Sequence, residues 1–91
     1  MNKNITINSN VLANNTITIQ PSTINGLLTI ISSYEMETIE VTNKNAQLIL
    51  KKSCAHKTEQ IQLPYFLEDI YFVRVLYSGG MSVTKKVFVN I

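Results

Sequence analysis

The sequence predicts an all-β chain, an immunoglobulin-like antiparallel β-sandwich of seven to eight strands, on three observations. Twelve Ile, seven Val and nine Thr stand against three Ala in 91 residues. Such β-branched side chains are stiff at χ1 and suit pleated strands better than helices. Apolar and polar residues alternate with period two, with turn signals about every 8–12 residues, and no helical period lies between the runs. A small closed barrel is the alternative. The length allows one domain, and so short a chain buries only about 60–65% of its unfolded surface, too little for a large internal active-site cavity.

Taken in order, Ile5 and Ile7 alternate first, then Ile17 and Ile19, joined by an Asn-rich connection from Asn8 to Asn15. Asn is depleted in strands and tolerates positive φ, so that connection reads as a loop. Pro21-Ser22 and Asn25-Gly26 bracket a turn, and Leu27 to Ser33 follows with both faces apolar, as a central strand requires. Glu37 to Thr42 turns Ile39 and Val41 to one face. Asn43-Lys44-Asn45-Ala46 is a turn, and Gln47 to Lys51 returns as the second arm of a hairpin. The polar stretch Lys52 to Lys57 precedes a strand from Thr58 to Leu63, which Pro64 ends.

Tyr65 to Asp69 has room for one helical turn, and Ile70 to Tyr77 is the strongest strand. An arginine is rarely buried, so Arg74 sets the solvent face; Tyr71, Val73, Val75 and Tyr77 point the other way, and Tyr71, Val73 and Val75 face the core. Tyr71, two residues before Val73, has the placement of a tyrosine corner. Gly79 and Gly80 make the next hairpin turn, and Ser82 to Asn90 closes the sheet with Val83, Val87 and Val89 inward and Lys86 and Phe88 outward. Residues 1–20 are expected as strands or a linker packed on or preceding the domain, and residues 21–91 as the domain itself.

A net charge of +2 spread over scattered lysines creates no strong field, and no aromatic is interleaved among them, so nucleic acid is not an expected partner. One cysteine excludes an internal disulfide. No run approaches the roughly 18 apolar residues of a transmembrane segment. The start, Met1 to Thr6, lacks the apolar region of a secretory signal. The chain therefore stays in the cytoplasm, or Met1 precedes a fragment of something longer.

Cys54 and His56 are the one nucleophile-and-base pair, but the flanking Lys51, Lys52 and Lys57 mark a solvated loop. Two ligands do not make a zinc site. Glu35, Glu37 and Glu40 invite a glycosidase or calcium reading, yet Glu37 and Glu40 point to opposite faces of a strand and no Asp-rich loop supports them. Gly79-Gly80 leads into a strand, whereas a phosphate loop leads into a helix. No catalytic residue, metal site or cofactor is expected. Phe72, Phe88, Tyr34 and Tyr65 could stack on sugars or simply cover a thin core.

From Pro21 to Ile91 the chain resembles the C-terminal sorting domain of cargo proteins of the Bacteroidetes type IX secretion system. Pro21-Ser22-Thr23-Ile24-Asn25-Gly26 is similar to that family's Pro-Asn-Pro-x-x-Gly opening, and Ile39 to Ile49 resembles its hairpin. Ile70-Tyr71-Phe72-Val73-Arg74-Val75 looks like its Ile-Tyr-Phe-Val-Lys-Val strand, and Thr84-Lys85-Lys86-Val87-Phe88-Val89 like its closing Thr-Lys-Lys-aliphatic strand. The second proline of the opening is missing. Asp69 and Ala46 stand where the family carries glycine: Asp tolerates the turn, whereas Ala46 implies a changed one.

The resemblance implies a non-catalytic export signal, with a larger cargo domain upstream, recognised in the periplasm by outer-membrane secretion machinery. A sortase that attaches the cargo at the cell surface is a further implied partner. Lys85, Lys86 and Phe88 are the expected recognition residues, and Gly26, Tyr71, Gly79 and Gly80 the structural turn or corner residues. The alternative is an immunoglobulin-like accessory or adhesion module of a larger secreted protein, carbohydrate-binding in one form.

Overall fold

The computed structural model describes residues 11–21, 26–63 and 70–88. Seven strands follow one another: β1 (Ile17–Pro21), β2 (Leu27–Ser32), β3 (Thr38–Asn43), β4 (Leu48–Ser53), β5 (Thr58–Gln62), β6 (Ile70–Leu76) and β7 (Ser82–Phe88). They form two antiparallel sheets, ordered β1-β2-β5 and β4-β3-β6-β7, so the chain is an all-β sandwich. A constant-type immunoglobulin domain pairs its fourth strand with the fifth. Here the fourth pairs with the third, Thr38 opposite Ser53 through Thr42 opposite Leu48, and β4 belongs to the larger sheet.

Period two produces one core. Leu28, Ile30 and Ile61 from the first sheet and Ile39, Val41, Tyr71, Val73, Val75, Val83 and Val87 from the second are buried together, closed at one end by Met36 and Tyr77. Arg74 faces solvent between them, as its charge requires. Ile17 lies in the same cluster and β1 is paired with β2 from Ile17 to Pro21, so a boundary between residues 20 and 21 falls inside a strand. Pro21 lacks an N–H, and it is the last residue of an edge strand, where none is needed.

Local details depart from the sequence reading for physical reasons. β2 is central, but only Leu28, Ile30 and Ser32 are buried; Ile31, on the face that no layer covers, is 38% exposed. Asn43 is not a solvated turn residue. It is buried at the end of β3, where its Oδ1 accepts the N–H groups of Asn45 (2.9 Å) and Gln47 (3.0 Å) and its Nδ2 donates to Gln47 Oε1 (2.8 Å). Ala46 keeps a glycine-like conformation, at φ +64°. An L-residue there costs about 1 kcal/mol, which the Asn43 bonds offset. β4 extends through Ser53 because β3 offers partners that far, although Lys51, Lys52 and Ser53 are all polar.

Gly26 is buried at φ +77° and its carbonyl accepts the Leu63 N–H at 2.9 Å. Gly79 and Gly80 both have φ +81° in the β6–β7 connection, where Tyr77 N–H bonds the Met81 carbonyl at 2.8 Å. The expected strand at Ile5 and Ile7, the Ser22–Asn25 turn, Pro64, the Tyr65–Asp69 turn and Val89 lie outside the described residues.

Candidate functional site

β7 is an edge strand, and backbone alternation settles which of its groups face outward. The Ser82 carbonyl accepts the Leu12 N–H at 2.8 Å, through a parallel bridge between Val11 and Ser82. It therefore points away from β6. Peptide groups alternate along a strand, so Thr84, Lys86 and Phe88 also turn N–H and C=O outward, and no described strand pairs with them there. Beyond Leu12 the chain forms a 3-10 turn at Asn14–Thr16, which still packs against β7, and then enters β1.

The three recognition candidates divide on this strand. Lys86 and Phe88 share the solvent face, Phe88 is 66% exposed, and Lys86 Nζ sits 5.8 Å from its ring centroid, within reach of the ring quadrupole. Lys85 shares the side of Val83 and Val87 instead. It is half-buried, with Nζ donating to the Ile17 carbonyl of β1 at 3.2 Å. Between these strand edges lies an open groove of about 240 Å3, lined by Ile19, Pro21, Lys85, Lys86, Val87 and Phe88.

Tyr71 is buried at the start of β6. The segment just upstream, where a tyrosine corner finds its backbone partner, lies outside the described residues.

The Cys54 thiol points to Glu59 Oε1 at 3.4 Å and the His56 carbonyl at 3.7 Å. Burial pushes its pKa up, and the Glu59 carboxylate adds to the rise. A thiol held in its protonated form is a poor nucleophile. Glu59 moves the other way, below the usual carboxylate range, because Lys52 donates to it at 2.7 Å, which outweighs the opposing effect of burial. Glu40 lies between Lys51 (3.9 Å) and Arg74 (3.5 Å) on the outer face of its sheet. Among the described residues no group of three or more His, Cys, Asp or Glu is placed to hold a metal ion, and no helix is long and apolar enough to cross a membrane.

One arrangement escaped the sequence reading. At the pole formed by the β2–β3 and β6–β7 loops, Tyr34 meets Tyr77 edge to face, centroids 6.2 Å apart and planes at 86°. Ser32 Oγ and Tyr77 OH share a buried hydrogen bond of 2.6 Å. Burial raises the Tyr77 pKa, so the phenol stays neutral. Exposure of Tyr34 was legible, but its partner stands 43 positions away and only the fold joins them.

Against protein-family models, curated proteins and solved structures the chain finds no match, so the functional reading rests on its own residues.

Proposed function

We propose that this chain is a non-catalytic sorting module of the type IX C-terminal kind, which directs an attached cargo across the outer membrane to the cell surface by docking its last strand. The observation that carries the reading is the outer edge of β7. There the backbone groups of Thr84, Lys86 and Phe88 face outward beside an exposed cation and an exposed aromatic ring. Strand addition to such an edge takes affinity from main-chain hydrogen bonds and specificity from alternate side chains. The secretion machinery, followed by a sortase, is the partner the resemblance supplies.

Fused behind a periplasmic reporter in a host with that machinery, residues 1–91 should bring the reporter to the cell surface. Starting the fusion at residue 21 would remove Ile17 from the core, so the whole chain is used. Lys86→Glu combined with Phe88→Ala should hold the reporter in the periplasm while circular dichroism still reports a folded domain. An intact fusion that folds and stays periplasmic, or a double variant that is exported normally, overturns the reading. An accessory or adhesion module is the second reading, favoured by the exposed Tyr34 at the loop pole.

A further inference from the structure

The loop that carries Tyr34 is tied down at nearly every residue. Ser33 N–H bonds the Thr16 carbonyl, Met36 N–H the His56 carbonyl and Glu37 N–H the Leu76 carbonyl, each at 2.9 Å, and Tyr34 N–H bonds Ser32 Oγ at 3.1 Å. Met36, 1% exposed, plugs the core beneath. With backbone and ring both fixed, Tyr34 is still 58% exposed. A tyrosine serving only to cover Tyr77 would bury more of its own ring.

Beside it lies an open groove of about 390 Å3, lined by Leu12, Tyr34, Glu35, Tyr77, Ser78 and Met81. Glu35 is the one charged residue of that lining. Glu40 and Glu59 have cationic partners, whereas Glu35 forms no ion pair among the described residues. A fixed aromatic face, an apolar floor and one uncompensated carboxylate call for a planar cation on an apolar stem.

We propose that this groove binds an arginine side chain of a partner polypeptide. The guanidinium stacks on Tyr34 and forks to the Glu35 carboxylate, and the aliphatic stem lies along Leu12 and Met81. Arginine fits better than lysine because its charge is planar, more weakly hydrated and able to bond a carboxylate through two N–H groups. A fixed Tyr34 loses little freedom on binding, so the contact is not cancelled by ordering. Phe88 stands at the opposite end of β7 from Ser82, and the groove stands or falls independently of the sorting reading.

The test is a titration of the full chain with a short peptide bearing a central arginine, followed in nuclear magnetic resonance spectra by the Tyr34 ring resonances and by the Leu12 and Met81 methyl resonances, which remain to report in Tyr34→Ala. The same peptide with citrulline, which keeps the shape and loses the charge, should bind about tenfold more weakly. Tyr34→Ala and Glu35→Gln should each weaken arginine binding about tenfold, and Tyr34→Phe should stay within about twofold, because the ring is kept. Equal binding of the citrulline peptide overturns the proposal, as does an arginine titration that leaves the Tyr34 resonances unmoved. A saturable response to neutral sugars in place of arginine overturns it too.

Discussion

Where β4 meets β5, Lys52 reaches across the sandwich to a carboxylate, 2.7 Å from Glu59 Oε2, and also donates to the Gln60 carbonyl at 3.2 Å. Where β7 meets β1, Lys85 reaches across in the same way and meets only the neutral Ile17 carbonyl, at 3.2 Å. Both lysines lay a flexible apolar stem over the seam between sheets and end on the opposite strand. A hydrogen bond with both partners ionised is the stronger. The first seam is thus strapped by charge. The second keeps an open groove and, beside it, a strand edge with outward backbone groups.

The most severe way to break this contrast is to remove the core that both seams enclose. Val73 is 0% exposed and lies opposite Val41 on one side and Lys85 on the other. Val73→Asp puts a carboxylate into the apolar core, where the Lys85 ammonium opposite is drawn off to the Ile17 carbonyl at the seam, a change that exceeds the stability of a small domain. Far-UV circular dichroism should show the β signal lost. A folded, soluble variant would mean that the seams hold without a common core.

A smaller and more selective effect sharpens the contrast through pH. Glu59 titrates below its ordinary range in the folded protein, because of the Lys52 bond, so between the folded and unfolded values the unfolded chain binds more protons. Its contribution is therefore complete above the unfolded carboxylate value and is lost as pH falls through the lower folded value. Glu59→Gln should cost about 0.5–1 kcal/mol at pH 7 in urea unfolding, and the gap from the parent protein should close as pH falls through the lowered folded value. A gap that persists unchanged into acid would assign the loss to packing and not to the ion pair.

How much of this was legible depends on whether the deciding contact is local. Period two placed Tyr71, Val73 and Val75 inward and Arg74 outward, because each strand carries its own face rule and one charge orients it. Lys86 and Phe88 follow from the same rule. Lys85 did not, since parity puts it beside Val83 and Val87, and only the approach of β1 gives its ammonium a partner. Asn43 read as a turn residue because a buried asparagine needs the Asn45 and Gln47 amides brought to it by the finished hairpin. The anchor at Met36 and the Tyr34–Tyr77 pair were likewise invisible, one a lone apolar residue in a polar loop and the other joined only when the β2–β3 crossing between sheets meets the β6–β7 hairpin.

The smallest expected effect tests the weaker strap itself. Lys85→Met keeps the stem that packs at the seam and removes only the ammonium, and the Ile17 carbonyl can then turn to water. It should cost no more than about 0.5 kcal/mol, with little dependence on salt, because no opposite charge is left behind. Lys52→Met also keeps its stem but strands Glu59, half-buried, without its cation. That loss should reach about 1 kcal/mol at low salt and shrink as salt screens the pair. Urea unfolding of both variants at two ionic strengths separates the cases. Equal losses with equal salt dependence would make the seams equivalent, and the open β1/β7 groove would then owe nothing to the weaker strap. Unequal losses tie the opening to what each lysine finds on the far side.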